Sequence, residues 1–378
     1  VIVRHDQSRR IVHSKRAWAG ALALAVSAGW NAVNTGAVAD ELSAAYGVSL
    51  AVIGLFTTAL FLTHASLQVP AGRLCDRYGA RVVGITGLCI TAAASAIAMT
   101  WEVAAFAIAM RALAGVGTAL TFVSGSDYVR STVGSAVAQG VYGAGSMAGG
   151  GVALAVVPQF GGWRAPFASA VVVGVVGAVL LALAPREAPR PPLARALPTF
   201  RDRRLVRYAV MHSASFGLSV VIGNWVVTLL ERTGDVSSRM AAAAGALTLL
   251  LGIFTRPLGG RLIGHSGVLR ASFLAGGAAT AALALGQPLA LAVAAAAVVG
   301  LAAGIPFAPS FAGAAAARPD APAAAVGLVN MTAAVTILVA TPLIGLSFSL
   351  PGDGRFGFVV LGVLWALAAL SVNGGARR

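Results

Sequence analysis

The sequence predicts an all-α integral membrane protein, with twelve transmembrane helices in two six-helix pseudo-symmetric halves. Three observations carry that expectation. Of 378 residues, 58% are hydrophobic and only 10% are charged, where a soluble chain carries about 25% charged residues. Twelve apolar runs follow one another, most near the roughly 20 residues a helix needs to cross a bilayer core. A turn also repeats: Gly72, Arg73, Leu74 and Gly79 recur as Gly260, Arg261, Leu262 and Gly267. All four pairs share one offset of 188 residues, the mark of a duplicated membrane domain.

The elements follow in order. Residues 1–16 form a basic, polar tail, and 17–184 hold the first six spans. Span 1 runs from Ala17 to about Ala39, span 2 from Ser49 to Ala71, and span 3 from Val82 to Thr100. Span 4 runs from Val103 to Ser126 and contains Arg111; span 5, Ser135 to Val157, is crowded with glycine; span 6 is Ala165 to Ala184. Residues 185–207 are rich in proline and arginine and read as the linker. The second half, 208–378, holds spans at Tyr208 to Leu230, Ala241 to Ile263, Val268 to Leu285, Leu289 to Ala312, Ala321 to Phe348 and Gly357 to Val372.

Charge orients this arrangement. Twelve spans put both termini on one side, and that side carries 22 basic residues. The opposite side carries four, Arg164, Arg232, Arg239 and Arg355, while the acids divide evenly, six and six. The positive-inside rule then places both ends in the cytoplasm, in the cell's inner membrane. A net charge of +15 would suggest nucleic acid in a soluble chain; here it follows topology, and no nucleic-acid partner is expected. Cys75 and Cys89 offer neither a structural disulfide nor a metal site. The first apolar run lacks a clear small-residue cleavage site, so no cleaved signal peptide is expected.

The run Gly72-x-Leu74-x-Asp76-Arg77-x-Gly79-x-Arg81 resembles motif A of the major facilitator superfamily, between spans 2 and 3. The echo at Gly260 resembles the loop between spans 8 and 9, with Gly264 where the acid would stand. Arg111-x-x-x-Gly115-x-Gly117-x-Ala119 resembles motif B, associated with proton-coupled exporters. Span 5 resembles motif C of exporters but lacks its Gly-Pro pair, and Gly161-Gly162-Trp163-Arg164 resembles the start of span 6. The resemblance implies a transporter working by alternating access. It also implies a cytoplasmic gate of Gly72, Asp76, Arg77, Gly79, Arg81, Asp127 and Arg130, with Asp76 and Arg77 beside Asp127 or Arg130 at the ends of neighbouring helices.

Candidate binding residues come from polar groups inside the spans. Arg111 is the strongest, because an arginine at a helix centre costs at least about 2.5 kcal/mol on insertion scales and must face protein or water. It either meets an anionic substrate or responds to proton movement, or else makes an interhelical bond to backbone carbonyls or amide side chains. Arg256, within the inner third of span 8, either meets an anion entering from the cytoplasm or snorkels to lipid phosphates at the interface; its Arg-Pro-x-Gly-Gly run resembles span 8 of nitrate and other anion carriers. The span 2 arginine of nitrate carriers is Gln68 here, which argues against nitrate. Asn31, Asn34, Asn224, Gln139, Tyr142 and Asn330 either line a modestly polar pocket or make interhelical hydrogen bonds. Trp30 and Trp225 either wall that pocket or pack. No acid lies deep in a span, so His64 and His212 are the groups available for proton coupling.

These features predict a secondary transporter of a small solute, an organic anion by preference. A proton-coupled drug or metabolite exporter is the alternative, and a non-transporting scaffold or sensor with the same fold is a third. No enzyme activity, cofactor or metal is expected, since no metal-ligand cluster or nucleophile-base pair is visible. The partners are a small-molecule substrate, the lipid bilayer and protons, and the expected state is a monomer.

Overall fold

The computed structural model describes residues 2–132, 136–187, 201–234, 236–286, 288–318 and 322–372. Side chains of residues 2–14, 69, 73, 76, 130, 136, 137, 315 and 322–324 lie outside that description. The described residues fold into helices and connecting turns, with no strand among them. A bilayer imposes this, because a helix satisfies its backbone polar groups within one segment.

Helix α1, Ile2–Val33, is followed by a 3-10 turn and a short helix α2, Ala39–Tyr46. Then come α3 (Leu50–Ser66), α4 (Gln68–Tyr78), α5 (Ala80–Ala98), α6 (Ala104–Thr132), α7 (Ala136–Phe160) and α8 (Ala165–Ala182). After the linker come α9 (Arg203–His212), a π-helical segment (Ser213–Leu218) and α10 (Ser219–Thr233). The chain continues through α11 (Ser238–Leu250), α12 (Gly252–Arg261), α13 (Ser266–Leu283), α14 (Leu289–Gly304) and α15 (Phe307–Ala317). It ends with α16 (Pro322–Ser347) and α17 (Arg355–Leu367). Eight helical stretches among the described residues are long and apolar enough to cross a bilayer, and Leu50–Ser66 and Arg355–Ser371 are shorter apolar helices. The expected linker falls largely on residues 188–200, outside the described residues.

The repeat seen in the sequence has a structural register. Helices α5, α6 and α8 begin at residues 80, 104 and 165; α13, α14 and α17 begin at 266, 289 and 355, between 185 and 190 residues later. The helices before the linker pack on one another, as do those after it. The two sets meet where α3 lies along α16 and where α7 lies along α11 and α12.

Three local features depart from the sequence reading. The charged turn at Gly72–Arg81 is mostly helix: α4 runs to Tyr78, and Gly79 turns the chain at φ +85°. Charged residues past the apolar run keep helical hydrogen bonds in water, so the turn waits for the residue without a Cβ. The seventh span starts at Arg203 rather than Tyr208, with the Asp202 carboxylate accepting from the Arg204 N–H at 2.8 Å. It also contains the π-helical segment, which hydropathy does not reveal.

Small residues set the helix spacing, as the glycine-rich span 5 suggests. A Cβ on Gly29 of α1 would fall inside the Ser146 carbonyl of α7. On the same seam, Gly149 of α7 lies against the backbone of Val26. Only the absence of a side chain allows that approach. Outward faces are apolar instead: Val172, Val175, Val176 and Val179 of α8 are all exposed and share one helical stripe, as a lipid-facing surface requires.

Candidate functional site

The polar residues inside the bundle fall into four groups. Arg111 is 1% exposed and ties α6 to α1 and α3. Its Nη2 donates to the Asn31 carbonyl at 2.6 Å and its Nε to the Phe56 carbonyl at 3.4 Å. Only Nη1 lacks a protein partner. Asn31 donates to Ser27 O at 2.9 Å within α1, and Asn34 donates to Pro166 O at 2.8 Å. Arg111 and Asn34 bind helices together on the α1 side, the Asn31 side chain bonds within α1, and the Oδ1 atoms of Asn31 and Asn34 have no protein partner.

A second group joins the two sets of helices at the end bearing α2, opposite the linker. Asn224 of α10 donates from Nδ2 to Ala32 O at 3.1 Å and accepts from the Thr57 hydroxyl at 2.9 Å. Gly36 gives it room, because a Cβ there would collide with the Asn224 backbone. Asp40 pairs with Arg232 at 2.5 Å on the surface just beyond. Trp225 packs in the same region and donates from Nε1 to Thr341 O at 2.9 Å, while Trp30 donates to Ser169 at 3.0 Å. Both tryptophans therefore spend their indole N–H on helix packing.

The third group lies at the linker end. Gln139 donates to Ser126 O at 2.8 Å and accepts from the Ser126 hydroxyl at 3.1 Å, and Tyr142 donates to Phe122 O at 2.9 Å. His64 meets the Thr118 hydroxyl at 3.0 Å through Nδ1, between the rings of Phe61 and Phe122. Gln68 donates to the His64 carbonyl at 3.2 Å across the break at Leu67. Of the expected gate, Gly72 and Asp127 are half-buried, and exposed Arg77 lies over the ring of its neighbour Tyr78. The side chains of Asp76 and Arg130 lie outside the described residues. Arg81 Nε donates to Leu181 O at 3.0 Å and its Nη2 to Ala182 O, at the end of α8. Its backbone N–H donates to the Glu187 carboxylate at 3.0 Å. Glu187 thus caps the start of α5, a role the sequence alone does not signal because the two residues are 106 apart.

The fourth group surrounds Arg256 where α12, α7 and the π-helical segment meet. Arg256 is fully buried. Its Nη1 donates to the Gly143 carbonyl and reaches the Ser146 hydroxyl at 3.2 Å, while Nε and Nη2 have no protein partner. The guanidinium carbon lies 3.9 Å from the Phe307 ring centroid and 5.7 Å from that of Phe216. The same two rings flank His212, each at 5.5 Å, and His212 Nε2 meets Asn330 Oδ1 at 3.2 Å. Beside Arg256 is a cavity of ≈ 10 Å³ whose lining includes Gly29, Ser146, Phe216 and Ser219. That is about the space of a single water. Ser146, Phe216 and Phe307 were not singled out by the sequence, since a serine among glycines and phenylalanines in apolar helices look like packing.

Neither Arg111 nor Arg256 has an ion pair among the described residues, and those residues hold no cluster able to bind a metal. A buried guanidinium without an internal carboxylate is held by carbonyl and hydroxyl dipoles alone. It therefore favours any anion that reaches it.

A lipid-facing bundle with a repeated helical register and buried polar ties defines a multi-pass membrane protein. The Major Facilitator Superfamily family model matches residues 20–339. The chain belongs to that superfamily and is a membrane transporter. Comparison with curated proteins gives no match.

Proposed function

We propose that this transporter is a secondary active carrier of a small organic anion, working by alternating access between two six-helix halves of twelve spans in all. The carrying observation is Arg256, fully buried between α12 and α7 with two donors unpartnered and no carboxylate beside it. A site between halves near the midplane is where such folds hold substrate. The basic asymmetry of the connecting segments supports an inner-membrane location with both termini and the linker in the cytoplasm. Motif A, with Gly72, Asp76, Arg77, Gly79 and Arg81, would work against Asp127 and Arg130 as the cytoplasmic gate. His64 and His212 are the groups available to take up a proton during the cycle.

A proton-coupled exporter is the second reading, favoured by the motif B resemblance around Arg111. Reconstituted vesicles decide between them. Under an imposed pH gradient, the carrier moves labelled organic anions, and Arg256→Ala abolishes that flux. Movement of cationic drugs with no anion flux would overturn the anion reading and support the exporter. No flux of either class, with folded protein, would support a scaffold.

A further inference from the structure

The outer surface of the second half carries a groove away from the cleft between halves. Helices α13 and α17 cross in backbone contact: a Cβ on Gly277 would fall 2.5 Å from the Gly362 carbonyl oxygen, and one on Gly362 would fall 2.6 Å from that of Gly277. Past this crossing the chain leaves a groove of ≈ 620 Å³ between them. Leu274 of α13 lines one side; Val363 and Leu367 of α17, with Leu370 of the 3-10 turn that follows, line the other. All four are at least half exposed, Leu370 at 82%. The 3-10 turn packs on α9, the helix just after the linker, so the groove lies at the linker end. Both α13 and α17 pack chiefly on elements of their own half. The groove therefore opens to lipid.

One charged side chain stands at its mouth. Arg270, a turn before Leu274 on α13, is exposed and lines the groove. Its counterpart in the first half is Arg81, 189 residues earlier at the start of α5. Half-buried Arg81 is closed off: Nε and Nη2 donate to the Leu181 and Ala182 carbonyls, and Glu187 accepts from its backbone N–H. Arg270 makes one bond of this kind among the described residues, from Nη2 to Val372 O at 3.1 Å, and no ion pair. No acid lies near it in the chain, for the sequence holds none between Asp235 and Asp320 and none after Asp353. The turn entering α13 adds exposed Arg261 and His265 instead.

An apolar groove that ends at an exposed arginine on a lipid-facing surface matches a molecule with a fatty chain and an anionic head. We propose that the α13–α17 groove binds an anionic diacyl phospholipid of the linker-side leaflet. Its phosphate takes the N–H groups of Arg270 that do not serve Val372. The upper part of one acyl chain lies along Leu370, Leu367 and Val363, about 10 Å of helix axis. A zwitterionic head would bring its cation to a surface supplied with arginine and no acid, so net negative charge selects the lipid. The site is separate from the transport cleft, and it stands whichever solute the carrier moves.

The test uses the full chain in phosphatidylcholine nanodiscs doped with phosphatidylglycerol that carries a diazirine on one acyl chain. After irradiation, peptide mass spectrometry should find adducts concentrated on α13 near Leu274 and on α17 between Val363 and Leu370. A phosphatidylcholine probe with the same diazirine chain should label these residues more weakly. Arg270→Gln should cut groove labelling by the phosphatidylglycerol probe about fivefold, the equivalent of about 1 kcal/mol for one arginine near an anionic head, and leave labelling elsewhere unchanged. Leu370→Glu keeps Arg270 and its bond to Val372 but sets an acid in the groove. It should lower labelling likewise, and it replaces Arg270→Gln if that variant does not fold. Equal groove labelling by the two probes, or undiminished labelling in a folded variant, would overturn the proposal. So would adducts confined to other helices. Displacement of the probe by glycerol 3-phosphate as readily as by unlabelled phosphatidylglycerol would overturn it too, because the head alone would then account for binding.

Discussion

Asn224→Ala is expected to loosen the end of the bundle opposite the linker. The side chain makes two bonds that cross between helices, to Ala32 O at 3.1 Å and from Thr57 at 2.9 Å. A third, to Val220 O at 2.9 Å, stays within its own helix and holds nothing across the seam. Interhelical hydrogen bonds in membrane proteins contribute about 0.6 kcal/mol on average and up to about 1.7 kcal/mol. Two of them are therefore worth about 1–3 kcal/mol, a shift of roughly 5- to 150-fold in the balance between a closed and a parted seam. The nearby Asp40–Arg232 pair is about a third exposed on each side and, like other surface pairs, adds about 0–1 kcal/mol. Arg232→Ala should accordingly have the smaller effect. The assay places spin labels on Ala44→Cys and Ser238→Cys, both exposed at this end, in a background with Cys75 and Cys89 replaced by alanine. Pulsed dipolar distances should gain a longer population in Asn224→Ala. An unchanged distribution in folded protein would refute the claim that these two bonds hold the seam.

Other outcomes follow from single contacts. Gly29→Val should prevent α1 from seating on α7 and lower the melting temperature sharply, because its Cβ meets the Ser146 carbonyl. Gly327→Ala, with nothing within 4 Å of the new carbon, is the control and should be neutral or slightly stabilising. Glu187→Gln should weaken the cap on α5 by about 0.3–1 kcal/mol, read as faster amide exchange at residues 80–83 with the rest of the bundle unchanged. Tyr46, in α2 outside the spans, has its phenol pushed up to about 12, first by burial and next by Glu102. The unfolded phenol ionises near 10, so its contribution to stability is full below that pH and is lost as pH rises towards 12. Tyr46→Phe should flatten that part of the pH–stability curve.

The order of the apolar runs, the 188-residue repeat and the motif A spacing were enough to reveal a helical, membrane-embedded member of the superfamily. Such features are local, since each span must be apolar along its own length whatever it touches. Contacts were not legible in the same way. Arg111 and Arg256 look alike in sequence, each a lone arginine in an apolar run. Only packing shows that carbonyls from α1 and α3 occupy the two-donor edge of one, while α7 takes the outer nitrogen of the other. In sequence Asn31, Asn34, Gln139 and Tyr142 fit pocket residues and helix ties equally, and the fold gives each a backbone carbonyl. Glu187, Thr57 and Ser146 carry no local signal, because their partners lie 106, 167 and 110 residues away.

Sequence by itself determined that this chain enters a bilayer as helices, because the cost of apolar and charged groups there is set residue by residue. The tertiary structure alone decided which buried donors are spent on the fold and which remain for a ligand. A hydrogen bond depends on where two helices meet, and that is a property of the packed bundle.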